Sequence, residues 1–152
     1  MNILKFGGTS VGSLESISAL LNILAKENQQ QDKPVVVLSA MSGVTNMLTS
    51  MAEKAALGQN YNEELKAIEQ RHFEVIRALL PASAQNPVLT KLKLYFNELE
   101  ELLQAIYNLQ ELSLQAKDLV LSYGERCSTF MVCHIAKQQF PEAVFADATL
   151  FI

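Results

Sequence analysis

Ile3-Leu4-Lys5-Phe6-Gly7-Gly8-Thr9-Ser10 and Val35-Val36-Val37-Leu38-Ser39-Ala40-Met41-Ser42-Gly43 decide how this chain folds. In each stretch an apolar run gives way to glycines and hydroxyl residues. Asn2–Phe6 reads as a strand stopped by Gly7-Gly8, and Val35–Leu38 as a β-branched strand entered through Pro34. Neither alternates strictly between apolar and polar, which suits a parallel sheet covered on both faces. Between them Leu14, Ile17, Leu21 and Leu24 recur at intervals of three, four and three, marking one face of a helix of about four turns. Ser13 is placed to cap that helix and Glu15 to meet the positive end of its dipole. Strand, glycine turn, helix and strand within about 40 residues make a βαβ unit with a right-handed crossover.

Working outward, Val44, Met47 or Leu48, Met51 and Ala55 mark a second helical face, closed by Gly58. The pattern of strand, polar turn and helix therefore occurs twice. Residues 61–114 differ. Tyr61, Leu65, Ile68, His72, Val75 or Ile76, and Leu79 form one stripe ended at Pro81, and Leu92, Phe96, Leu99, Leu103 and Ile106 form another. The reading is a helical hairpin around the turn Pro81-Ala82-Ser83-Ala84-Gln85-Asn86-Pro87, inserted into an α/β frame. Such a hairpin either covers a cleft, forms a subunit contact, or packs on its own domain. Leu119 to about Gln139 predicts a largely buried helix interrupted only by Gly124, and Ala143–Ala146, ended by Asp147, predicts a third strand.

The chain has 152 residues, 49% hydrophobic and 18% charged, enough to bury one core without staples. Its charge is 12 − 16 = −4, which offers no basic excess for nucleic-acid binding. No apolar run approaches the ~20 residues of a membrane span, and the N-terminal apolar run is too short for a signal core. Cys127 and Cys133 are six apart in a helical stretch, turned about 240° from each other, so they are expected unbridged and packed as small hydrophobes in a reducing, cytoplasmic setting.

Three segments carry candidate chemistry. In Lys5-Phe6-Gly7-Gly8-Thr9-Ser10, paired glycines at a strand end leading into a helix let backbone N–H groups approach an anion, with Lys5 and two hydroxyls beside them. A plain tight turn with an exposed lysine is the alternative. A P-loop is excluded, because Ser13 stands where the G-x-x-x-x-G spacing of Gly7 and Gly12 requires lysine. Ser39-Ala40-Met41-Ser42-Gly43-Val44-Thr45-Asn46 opens at the end of the second strand, and its side chains suit a small polar substrate, with capping by Ser42 or Thr45 as the alternative. If the strands are parallel neighbours, both turns open on one edge. In Ser122-Tyr123-Gly124-Glu125-Arg126-Cys127-Ser128, Glu125 shares a helical strip with Leu121, Ser128 and Val132, so its charge is expected to need a partner from elsewhere: a lysine such as Lys5, a ligand ammonium or backbone N–H groups, with a structural ion pair as the alternative. Gly124 implies close approach of another element. His72 and His134 read as hydrogen-bonded core histidines without metal spacing.

With these segments in place, the chain resembles the aspartate kinases of the amino-acid kinase family, through KFGGTSV at Lys5–Val11, VVVLSAMSGVTN at Val35–Asn46 and SYGERCST at Ser122–Thr129. The resemblance implies a three-layer αβα fold with a mainly parallel sheet, of which residues 1–152 are the N-terminal, amino-acid-binding half, with 61–114 as the helical insertion. It implies phosphoryl transfer from MgATP to the side-chain carboxylate of L-aspartate, giving 4-phospho-L-aspartate on the way to lysine, threonine and methionine. Lys5 would stabilise the transferring phosphoryl group, and Gly7, Gly8, Thr9 and Ser10 would complete the ATP phosphate turn. Ser39 and Thr45 would hold aspartate, with Glu125 on its ammonium. The same resemblance implies a cytoplasmic homodimer in full length. The nucleotide half, most of the magnesium site and the regulatory domains would lie beyond Ile152, leaving residues 1–152 inactive alone. Another amino-acid kinase, or a non-catalytic ligand-binding or dimerisation module, is the alternative.

Overall fold

The structure is a computed structural model that describes residues 2–28 and 33–150. Strands β1 (Ile3–Phe6) and β2 (Val35–Leu38) pair in parallel, with Ile3 opposite Val35 and Phe6 opposite Leu38. Helix α1 (Leu14–Glu27) makes the crossover between them. It begins with a capping box: the Ser16 N–H donates to Ser13 Oγ at 3.1 Å and the Ser13 N–H to Ser16 Oγ at 2.9 Å. Ile17, Leu20, Leu21 and Leu24 are its buried face, and Leu14, at the mouth of the helix, is turned outward.

The sheet is covered on one face only among the described residues. Leu4, Phe6, Val36 and Leu38 pack on the core, whereas Ile3, Val35 and Val37 are 61%, 48% and 44% exposed. The expectation of cover on both faces is therefore not met by these residues. The third predicted strand is also absent: Ala143–Ala146 has the alternating exposure of a strand but no ladder partner among the described residues. An apolar opening of about 410 Å³ lies between this segment and β2, lined by residues of both. Side chains hold the segment instead. Phe145 meets the Phe130 ring edge-on, and Asp147 Oδ2 accepts from Arg126 Nε at 3.0 Å. The Asp147 carboxyl titrates below its ordinary value; burial opposes this, and hydrogen bonds from Thr149 and Arg126 outweigh it.

The remaining chain is helical: α2 (Val44–Ala56), α3 (Asn62–Leu79), α4 (Ala82–Leu109) and α5 (Leu114–Ala136). The loop predicted at 81–87 contracts to Leu80 and Pro81, because α4 starts at Ala82 and absorbs Pro87. Proline there gives up one helical hydrogen bond in the second turn. Gln85 Nε2 compensates nearby by donating to Leu80 O at 2.9 Å and Arg77 O at 3.2 Å, closing the end of α3. Leu48 rather than Met47 takes the buried place on α2, and Gly58 follows that helix with φ 68°. Helix α5 begins five residues before the predicted start, capped by Ser113, whose Oγ accepts from the Ala116 N–H at 3.1 Å.

The hairpin α3–α4 sits inside the common core. Leu65, Ile68, Val75 and Ile76 of α3 and Leu92, Phe96, Leu99 and Leu103 of α4 are buried, with α4 packed on α2, α3 and α5. His72 is fully buried, its Nδ1 2.8 Å from Ile68 O and its ring edge-on to Phe96. His134 makes the same bond to Phe130 O at 2.9 Å. Both cysteines are free; burial pushes the Cys127 thiol up to about 12, which makes it an inert core atom. No described helix is long and apolar enough to cross a membrane.

Candidate active site

The parallel register puts the exits of β1 and β2 side by side, as the sequence required. Beyond β1, Gly8–Val11 forms one 3-10 turn; beyond β2, Ser39–Gly43 leads into α2. The two loops are in direct contact. The Ser39 N–H donates to Phe6 O at 3.1 Å, and the Ser42 N–H to Gly8 O at 3.2 Å. A Cβ on Gly8 would lie 2.9 Å from Ala40 O, so glycine is what lets the loops touch. Gly7 differs: open space surrounds its missing side chain, where a ligand can reach the backbone. The Ser10 N–H is spent on Gly7 O at 2.9 Å, while no backbone oxygen among the described residues accepts from the N–H of Gly7, Gly8 or Thr9.

The dipole of α1 does not start at the glycines, since the Ser13 box places the helix start at Leu14, six residues after Gly8. The donors near Gly7 thus belong to the short turn alone. Lys5 is exposed on the open face of β1, opposite Val37, and makes no hydrogen bond or ion pair among the described residues. Standing two residues before Gly7, it points to the same side of the strand.

Helix α2 is capped by neither Ser42 nor Thr45. Its N-cap is Gly43, held at φ 80°, a left-handed conformation that costs a residue with a Cβ about 1 kcal/mol or more. The hydroxyls of Ser42 and Thr45 are therefore not consumed by capping, and Thr45 is exposed on the first turn. Ser39 is half-buried, with its carbonyl accepting from the Ser128 hydroxyl at 2.7 Å.

That bond brings in α5. A Cβ on Gly124 would lie 2.8 Å from Ala40 Cβ and 3.1 Å from Leu48 Cδ1, so the close approach foreseen at this glycine is made by the loop after β2. Glu125 lies between these two contact points in sequence. It is exposed, which corrects the expectation of a carboxylate on a dry strip needing a partner: Gly124 and Ser128 take the buried contacts and leave Glu125 in solvent. Its carboxylate has no partner among the described residues and stays available to a cation. Arg126 is already engaged, paired to Asp147 and lying 4.9 Å from the ring centroids of both Tyr95 and Tyr123.

Lys5, Gly7, Gly8, Thr9, Ser10, Ser39 and Thr45 therefore share one sheet edge, and Glu125 sits on the helix turn that touches it. Two groups escaped the sequence reading. Arg71 on α3 donates through Nη1 to Ser42 O at 2.5 Å and through Nη2 to Gly12 O at 2.9 Å. Ser128 fixes Ser39 from behind. An arginine on the polar side of a helical stripe carries no sequence signal of the loops it reaches.

A family model described as "Amino acid kinase family" matches residues 1–151. The chain belongs to the amino acid kinase family. Within that family it is 35% identical over 131 residues to aspartokinase 1, chloroplastic, of Arabidopsis thaliana, covering 84% of this chain and 22% of the relative. It is 30% identical over 142 residues to the bifunctional aspartokinase/homoserine dehydrogenase of Buchnera aphidicola, covering 91% and 17%. Among solved structures, it matches E. coli aspartokinase III in complex with aspartate and ADP with TM-score 0.77 and 26% identity, over 92% of this chain and 29% of that one. The form of that enzyme with lysine and aspartate matches equally, at TM-score 0.77. The chain spans under a third of the length of each of these relatives, and its helices and small parallel sheet correspond to part of the amino-acid kinase fold.

Proposed function

We propose that this amino acid kinase chain is the amino-acid-binding half of an aspartate kinase, which transfers the γ-phosphoryl group of ATP to the side-chain carboxylate of L-aspartate. The observation that carries the reading is the contact of two motif-bearing loops at one sheet edge, one with Lys5 and N–H groups that no backbone oxygen of the described residues accepts from, the other with the hydroxyl residues Ser39, Ser42 and Thr45. The likeness to an aspartokinase crystallised with aspartate and ADP supports it.

In this reading the N–H groups of Gly7 and Gly8, with Thr9 and Ser10, receive phosphate oxygens, and the Lys5 ammonium neutralises charge on the phosphoryl group in transit. Ser39 and Thr45 hydrogen-bond aspartate and orient its carboxylate, and the exposed Glu125 pairs with the aspartate ammonium. No side-chain nucleophile is needed, because the substrate carboxylate attacks directly and the protein contributes position and electrostatics. Among the described residues no three His, Cys, Asp or Glu side chains converge as metal ligands, and most of the site for the magnesium that accompanies ATP belongs, in this reading, to the nucleotide half. The reading carries with it the role in lysine, threonine and methionine synthesis, a homodimeric full-length protein and a cytoplasmic setting, the last set by organism, since plant relatives are named chloroplastic.

Lys5→Ala in the intact protein tests the assignment. It is expected to lower kcat by on the order of 100-fold or more with little change in aspartate KM. A change in KM alone would make Lys5 a ground-state binder and defeat its role here.

A further inference from the structure

Arg71 springs from α3, outside both loops of the site, yet its guanidinium joins them. Its two terminal nitrogens donate to different loops, one to Ser42 O at 2.5 Å and the other to Gly12 O at 2.9 Å. Gly12 closes the turn after β1, and Ser42 lies in the loop after β2. Between these loops the backbone supplies only a long bond from Ser42 N–H to Gly8 O, 3.2 Å, beside the one from Ser39 N–H to Phe6 O at the strand ends. The loops also touch tightly, since a Cβ on Gly12 would lie 3.1 Å from Ser42 Cβ.

The base of the bridge is rigid. The next residue, His72, is fully buried and bonded to Ile68 O, with Phe96 against its ring. The register of α3 is therefore set by core packing and does not depend on the loops. A charged, planar fork anchored in a core helix fixes two carbonyls relative to each other in distance and direction. Lysine keeps the charge but presents a single nitrogen on a flexible stem, so it cannot reproduce that spacing.

We propose that Arg71 is a positioning residue that locks the Gly7–Gly12 turn and the Ser39–Asn46 loop into one unit. Resting on the kinase reading above, its consequence is that nucleotide and amino acid, each held by its own loop, are brought to the right separation. Each loop keeps its own ligand contacts when the bridge is lost, whereas their alignment suffers. The loss therefore falls on kcat more than on either KM, as expected for a reaction governed by alignment.

Two measurements on the intact protein decide it. Amide hydrogen exchange is followed at residues 7–12 and 39–44 in wild type, Arg71→Lys and Arg71→Met. Both segments are expected to exchange about tenfold faster in each variant, with core amides of α3 and α4 unchanged. Unchanged exchange, or acceleration in one segment only, overturns the proposal. In steady-state assays Arg71→Lys is expected to lower kcat about tenfold or more, with KM for aspartate and for ATP each within about threefold of wild type. Added guanidinium ion is expected to restore part of the rate of Arg71→Ala, and ammonium ion none. An unchanged kcat, or a rise in KM alone, overturns the positioning role. A wild-type protein that forms no aspartyl phosphate defeats the kinase reading, and the exchange result then decides the loop coupling by itself.

Discussion

Acidification should destabilise this protein through His72 more than through any other single core group. The imidazole is fully buried between α3 and α4, its Nδ1 bonded to Ile68 O and its Nε2 without a hydrogen-bond partner among the described residues. Burial dominates and lowers its pKa from 6.5 to about 4; the bond to Ile68 O opposes the shift and the neighbouring Arg71 charge adds to it. A folded-state value below the unfolded one means that the folded chain binds fewer protons between pH 4 and 6.5. The stability contributed by neutral His72 is thus fully present above pH 6.5 and declines as pH falls through that window. At about 1.36 kcal/mol per pH unit the whole effect is roughly 3 kcal/mol, most of it lost by pH 4.5. Urea unfolding of wild type and His72→Leu at pH 7 and 4.5 isolates this contribution, because carboxylate effects are common to both proteins. Wild type should lose about 2 to 3 kcal/mol more than the variant over that interval. Parallel losses would refute the reasoning.

Two further substitutions probe the junction between α5 and the loop after β2. Gly124→Ala would raise stability by about 1 kcal/mol if helix propensity governed; the 2.8 Å approach to Ala40 Cβ instead predicts a net loss of about 1 to 3 kcal/mol, read as a lower urea midpoint. Ser128→Ala removes the buried donor to Ser39 O, and should cost about 1 to 2 kcal/mol while weakening aspartate binding through a displaced Ser39.

The βαβ frame, the five helices and the common edge for both loops were legible because they follow from local features: β-branched runs, three-and-four spacing, and the Ser13 cap. Features set by partners distant in sequence were not. Ala143–Ala146 has strand composition, but a ladder needs a neighbour, and among the described residues an opening separates it from β2. Pro81 and Pro87 read as the two ends of a turn; nothing local tells that α4 tolerates the second in its second turn. Helical geometry puts Glu125 on one strip with Leu121 and Ser128, but which residues of that turn face the loop, Gly124 and Ser128, depends on partners as far as 89 residues away. Arg71 illustrates the same limit, since its two acceptors lie 59 and 29 residues away. For the candidate site, the loops were readable from residue type, and the fastening between them was not.

The most direct test of the central claim is a phosphorylation assay on the intact protein with MgATP, trapping acyl phosphate with hydroxylamine. Aspartyl hydroxamate is expected to form with L-aspartate, strongly reduced by Lys5→Ala and by Glu125→Gln, the latter through aspartate KM. Phosphorylation of another amino acid in preference to aspartate, or aspartate turnover indifferent to Lys5, would contradict it.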